Sequence, residues 1–271
     1  MPWPSLPNGA MKDQSGKGNL MIARDISGLW RDVASAIGLL TRLPVHIDHP
    51  RGAEAAWAWP LVGVVVGVLA AAAGAALMAV GVPVTVAAVG VLAAGAVVTG
   101  ALHEDGLADT VDGFFGGWTQ ERRLEIMKDS HIGSYGTLAL VLTVLARWAA
   151  LCAVLPVSVW AVVAVAALSR APMAVVMWAL PNARGKGLAH SVGQPDAQAA
   201  GVAVALALIV GVLTVELAAA LLVALMVGAT TLGLIGLARA RIGGQTGDVL
   251  GAAQQIAEVA GLVVLAGFFA G

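Results

Sequence analysis

From residue 59 to the end, the chain is a succession of apolar runs about as long as a bilayer is thick, and no other feature restricts its fold as much. The runs cover residues 59–81, 82–102, 135–155, 157–180, 199–215, 217–238 and 249–271. A hydrocarbon core about 30 Å deep takes about 20 apolar residues per helix, so each run predicts one membrane-spanning helix. With 59% hydrophobic and only 11% charged residues, the chain lacks the polar side chains to cover a soluble globule. The expected fold class is therefore all-α: a polytopic integral membrane protein of about seven transmembrane helices. The runs are mostly Ala, Val, Leu and Gly, and the pair Gly63 and Gly67 suits close approach of helix backbones.

The residues before the first run divide in two. Residues 1–25 read as a flexible tail; they lack a continuous apolar stretch and so predict no cleaved secretory signal. Residues 26–43 place Ile26, Leu29, Trp30, Val33, Ile37 and Leu40 at helical spacing, with Arg31, Asp32 and Arg42 between them. That pattern predicts an amphipathic helix lying along the membrane interface. Residues 26–271 are then one membrane-embedded catalytic domain, with the interfacial helix and a loop over 26–58 and the bundle over 59–271. The lone Cys152 falls in a run and reads as apolar packing. A net charge of -1 and the absence of a basic stripe interleaved with aromatics exclude a nucleic-acid polymer as partner.

Charge placement sets the sidedness. If seven spans alternate, 13 of the 15 Lys and Arg residues fall on one face, and the connections near Pro83, Pro156 and Glu216 on the other face carry none. The positive-inside bias makes the charged face cytoplasmic, so the N-terminus and the chemistry are expected on the cytoplasmic side of the membrane. Fourteen of the 16 carboxylates lie on the same face. An ion or metabolite transporter would suit the intramembrane Arg147, Arg170 and Glu258, but it should be polar from both faces, and this chain is not.

The densest polar signal is residues 103–113, with His103, Glu104, Asp105, Asp109 and Asp112 in eleven positions. At about 100° per residue, Asp105, Asp109 and Asp112 share one helix face, with Glu104 beside it. Carboxylates so close destabilise a helix unless a cation sits among them, and hard oxygen ligands suit Mg²⁺ with water and phosphates. Glu104, Asp105, Asp109 and Asp112 are the candidate metal ligands. Gly106 and Gly113 remove side chains where a phosphate could approach. Next along the chain, Arg122, Arg123 and Lys128 supply cations for a polyanion, in a stretch continuing through Asp129, Ser130, His131, Gly133 and Tyr135 that is expected to return to the membrane edge. Arg170 lies inside a run just before Ala171 and Pro172, where the proline should break the helix, and Arg170 is expected to face substrate. Arg147 has Glu258 as a candidate partner. Gly244, Thr246 and Asp248 open the last run, where backbone amides favour phosphate and Asp248 can join the metal or cap the helix.

Four blocks in this order, TRLPV at 41–45, HEDGLADTVDG at 103–113, RRLEIMKDSHIGSYG at 122–136 and GGQTGDVLGA at 243–252, closely resemble the cobalamin synthases, the adenosylcobinamide-GDP ribazoletransferases. The resemblance covers most of the chain. It implies the last assembly step of the cobamide nucleotide loop, in which adenosylcobinamide-GDP and α-ribazole, or its 5′-phosphate, give adenosylcobalamin, or its phosphate, and GMP. It also implies Mg²⁺ as cofactor. On that reading Asp105, Asp109, Asp112 and Glu104 hold the metal on the diphosphate, Lys128 and Arg170 stabilise departing GMP, and the base is His103, Asp129 or Asp248. Arg42, in the first block, joins the substrate-binding set. The order D-G-x-x-A is also similar to that of the CDP-alcohol phosphotransferases, but that pattern has Arg after the Ala where this chain has Asp109. Beyond the bilayer, the reading leaves room for a homo-oligomer or for a protein that delivers the corrinoid.

Overall fold

A computed structural model describes residues 15–45 and 50–271. The chain begins with α1 (Ser15–Leu40), a 3-10 helix (Gly52–Ala58) and α2 (Trp59–Ala79). It continues through α3 (Val84–Thr99), α4 (Leu102–Gly116), α5 (Gln120–Ile126) and α6 (Ser134–Val154). The rest is α7 (Trp160–Leu168), α8 (Ala171–Ala179), α9 (Leu188–Val192), α10 (Ala197–Thr214), α11 (Leu217–Ile242) and α12 (Gly247–Ala270). Among the described residues there is no strand, only an isolated bridge between Asn182 and Gln245.

Six segments are long and apolar enough to cross a membrane: Gly52–Ala79, Ser134–Val154, Trp160–Ala179, Ala197–Thr214, Leu217–Ile242 and Gly247–Ala270. The seventh is a bent pair, α3 with α4, turned by 88°. The 16 residues of α3 are about 24 Å long, and the 88° bend turns α4 out of the line of that span. The expected span over 82–102 is thus shorter than its apolar run. Gly100 and Ala101 both take left-handed backbone angles, φ 66° and 55°. Ala101 bears a cost of roughly 1–2 kcal/mol there. Arg42 holds the corner: its N–H donates to Val98 O at 2.7 Å, and a Cβ on Gly100 would stand 2.5 Å from its Nε.

The amphipathic helix also differs from its expected bounds, since α1 starts at Ser15 and ends at Leu40. No proline lies between residues 15 and 25, whereas Pro44 bars continuation beyond 43. Residues 1–14 of the expected tail lie outside the described residues. The fourth span breaks where Pro172 requires it, between α7 and α8 at Ser169 and Arg170. This broken span is the centre of the bundle, with Val163, Ala164, Ala167, Ala174 and Val176 all buried. Gly63 and Gly67 press on α7, where a Cβ at Gly67 would lie 2.8 Å from Val163 Cα. The small-residue packing expected of that pair is what the bundle uses.

Candidate active site

The helix α4 is amphipathic because its acidic residues repeat on one face while His103, Leu107, Thr110 and Phe114 are buried on the other. Its buried face crosses α12 at two glycines: a Cβ on Gly106 would lie 2.8 Å from Asp248 O and 3.1 Å from Gly251 Cα. That close approach brings the carboxylate of Asp248, in the first turn of α12, to the acidic face of α4. Thr246 caps α12, accepting from Val249 N at 3.4 Å and donating to Asp248 Oδ2 at 3.2 Å.

The third side comes from the loop between α8 and α9. Its start is pinned to the loop before α12, with Ala183 N donating to Gln245 O at 2.9 Å and Gln245 N to Pro181 O at 2.8 Å. Asn182 Oδ1 accepts from the backbone N–H of Arg184 and Gly185 and fixes the turn. Arg184 then meets Asp248 Oδ2 at 2.7 Å and Met127 O at 3.0 Å. Together these elements line a cleft of about 890 Å³, counting its open mouth. One end carries Asp105, Asp248, Asn182, Arg184, Lys186 and Thr246; the other is walled by apolar side chains from α1, α2 and α8.

Asp109 stands one helical turn beyond Asp105. Burial, and then the charges of Asp248 and Asp105, push its carboxyl up to about 7. Arg184 opposes the shift without cancelling it. Among the described residues no three His, Asp or Glu side chains already form a metal cage. Mg²⁺ does not require one, since it keeps several waters and takes one or two carboxylates together with substrate phosphates. Asp105 and Asp248 on the cleft wall, with Asp109 close enough behind them to feel both charges, fit that demand.

Two of the four expected ligands have other partners. Asp112 Oδ2 accepts from Gly133 N at 2.7 Å, and its Oδ1 accepts from Gly136 N at 2.8 Å. The carboxylate thereby caps α6 from across the fold, and both glycines are needed because a Cβ on either would collide with it. Gly136→Ala is expected to cost about 1–3 kcal/mol, lowering the melting temperature by several degrees and speeding proteolysis within 127–133. An unchanged melting curve would mean that this latch does not hold the turn. Glu104 Oε1 instead receives Arg147, at 3.3 Å.

Arg147 also reaches Glu258 Oε1 at 3.1 Å, the partner its sequence position suggested. Gln254 joins Glu258 to Ser169, and Arg170 donates to Ala166 O at 2.7 Å. Arg147, Glu104, Glu258, Gln254 and Arg170 line a small inner chamber of about 50 Å³ between α2, α3, α4, α6, α7 and α12. Arg170, 2% exposed, lies in this chamber rather than in the cleft, while His103 lines both.

The remaining candidates lie outside the lining of the cleft. Lys128, Asp129, Ser130 and His131 form an exposed turn after α5. The His131 ring lies 2.8 Å from Asp129 Oδ1, and that hydrogen bond, with the His131 backbone N–H, holds Asp129 below the usual carboxylate range. Arg122 pairs with Glu125 in solvent; Arg123 ties Gly117 O to Arg241 O, each at 2.9 Å. Tyr135 packs near Phe115, Gly113 on Met127, and Gly244 on Pro181, so these glycines make room for protein atoms. Arg184, Lys186 and Asn182 are cleft residues that sequence reasoning missed. Their signal was the run PNARGKG at 181–187, a basic pair between glycines after a turn, a composition suited to phosphate.

The cobalamin-5-phosphate synthase family matches residues 32–266. An adenosylcobinamide-GDP ribazoletransferase of Sinorhizobium sp is 43% identical over 252 residues, 87% of this chain and 95% of its own. Those of Sinorhizobium medicae and Bradyrhizobium diazoefficiens are 42% and 43% identical, covering 89% and 90% of this chain and 98% and 96% of theirs. No solved structure matches the chain. Because the match runs from within α1 to within α12, and so through every wall of the cleft, the chain belongs to the cobalamin-5-phosphate synthase family.

Proposed function

We propose that this protein joins α-ribazole, or its 5′-phosphate, to adenosylcobinamide-GDP and releases GMP, in a Mg²⁺-dependent transfer at the cytoplasmic face of the bacterial inner membrane. The relatives carry this activity in their names. The observation that carries the reading is the polar end of the cleft, where carboxylates from α4 and α12 face Arg184 and Lys186 across a space open to solvent. That is the charge pattern a metal-bound diphosphate needs.

Asp105, Asp109 and Asp248 would hold Mg²⁺; Asp112 and Glu104 support the helices behind them. Bound there, the ion supplies charge neutralisation on the diphosphate. Arg184 and Lys186 take up the remaining phosphate charge and orient the donor. The acceptor's ribose hydroxyl oxygen bonds to the cobinamide-side phosphorus, and the bond from that phosphorus to the bridging oxygen breaks. Its electron pair leaves with GMP. The hydroxyl proton passes to a base lining the cleft, Asp248 or His103; Asp129 stands on the exposed turn instead.

The test is direct. Purified protein given Mg²⁺, adenosylcobinamide-GDP and α-ribazole is expected to release one GMP per joined product and to leave a CDP-lipid with an alcohol acceptor untouched. Folded protein that releases no GMP rejects the proposal.

A further inference from the structure

The opposite end of the cleft has a different chemistry from the phosphate end. Leu40 on α1, Trp59 at the start of α2 and Met173 and Met177 on α8 wall it, with Leu250 of α12 packed in the same apolar cluster. A phosphate group gains nothing from such a lining. A flat aromatic ring gains a great deal, because thioethers and an indole offer adaptable, polarisable contact to ring faces.

One polar group among these wall residues lacks a partner. Trp59 is 1% exposed, yet its indole Nε1–H has no acceptor, and the residue borders both this end of the cleft and a second, adjoining pocket against α1 and α9. Leaving a buried donor unpaired costs about 1–3 kcal/mol, so an acceptor supplied by a ligand would be rewarded. His103 Nε2 also lacks a partner, but His103 stands between the cleft and the inner chamber, beside the charges of Arg170 and Arg147, and is not part of the apolar wall.

We infer that this apolar end binds the base of the acceptor nucleoside, and that Trp59, Met173 and Met177 select a flat apolar azole with one ring-nitrogen acceptor. The inference rests on the activity proposed above. The base of α-ribazole, a dimethylated benzimidazole, is such a ring: apolar on both faces, with a single free acceptor nitrogen. Guanine is not, since its edge carries several donors and acceptors that this lining would strip of water without replacing. The corrin, with its rim of amides, is both too polar for this wall and too broad for a cleft of about 890 Å³ that must also hold the diphosphate. The nucleotide donor therefore occupies the polar end, and the acceptor base the apolar end.

The test uses full-length protein in nanodiscs, with adenosylcobinamide-GDP saturating and the acceptor varied. The acceptors are α-ribazole, the matching indole riboside, which has CH in place of the acceptor nitrogen, and an adenine riboside. For wild type, KM is expected to rise about 5–10-fold from the azole to the indole, the range of one neutral hydrogen bond. Trp59→Phe should raise KM for α-ribazole by a similar factor and leave no further difference between azole and indole. Met177→Asn should narrow the preference for α-ribazole over the adenine riboside. Equal KM values for azole and indole in wild type, a comparison that needs no variant, would overturn the inference. So would a Trp59→Phe protein altered only in its KM for adenosylcobinamide-GDP, which would place the donor, or a lipid chain, against Trp59. If wild type releases no GMP with any acceptor, the activity has failed instead. Equilibrium dialysis of α-ribazole then decides the pocket: binding weakened by Trp59→Phe supports it, and no binding refutes it.

Discussion

Asp105→Asn and Asp109→Asn, made separately, are each expected to lower the rate of GMP release by about two to three orders of magnitude, the usual effect of removing one aligned charge from a transfer site. The substitution keeps shape and removes charge. Asp105 is exposed and Asp109 half-buried, and among the described residues neither carboxylate is held in an ion pair. Asp109 is crowded by the charges of Asp105 and Asp248, so relieving that repulsion should leave thermal stability without Mg²⁺ unchanged or slightly higher. Lost turnover in a protein that melts no earlier separates a catalytic role from a structural one. Asp112→Asn should behave differently, losing stability, because one of its two accepting oxygens becomes an NH₂ group facing a backbone N–H. Near-normal turnover in Asp105→Asn or Asp109→Asn would remove these residues from the mechanism.

Arg147→Ala should give the largest loss of stability in the molecule. Its guanidinium is shared by Glu104 and Glu258, and all three side chains are largely withdrawn from solvent. Removing the cation strands two carboxylates within the bundle, a cost of about 3–5 kcal/mol for a broken buried pair. The melting temperature should fall by on the order of 10 °C. Replacing all three, as Arg147→Met with Glu104→Gln and Glu258→Gln, should recover most of that loss, because it removes the stranded charge with its partner. Thermal unfolding of the solubilised variants measures both effects, and a single variant as stable as wild type would show that the pair does not brace α4, α6 and α12.

What the sequence made legible was what depends on local pattern. Apolar run length placed the spans, and Pro172 placed the break between α7 and α8. The 3.6-residue period put Asp105, Asp109 and Asp112 on one face of a helix that exists. The corner at Gly100 and Ala101 was hidden, because the hydropathy of the run continues through it and only Arg42, nearly 60 positions earlier, shows why it forms. The site was legible as an acidic motif but not as an arrangement. Which carboxylates stay available is decided by partners far along the chain: Arg147 for Glu104, the N–H groups of Gly133 and Gly136 for Asp112. The pairing of Arg184 with Asp248 depends on the bridge of Asn182 to Gln245, which no spacing rule announces. Arg170 shows the same limit, since an arginine within a span can serve an inner polar chamber as readily as a substrate cleft.

Membrane vesicles of defined orientation distinguish transfer at an acidic cytoplasmic cleft from transfer at the opposite face. Impermeant adenosylcobinamide-GDP, α-ribazole and Mg²⁺ are added outside inverted and right-side-out vesicles containing the protein, and external GMP is followed. GMP is expected from inverted vesicles alone, and none when EDTA removes the metal. Equal release from right-side-out vesicles, or full release in EDTA, would contradict that expectation.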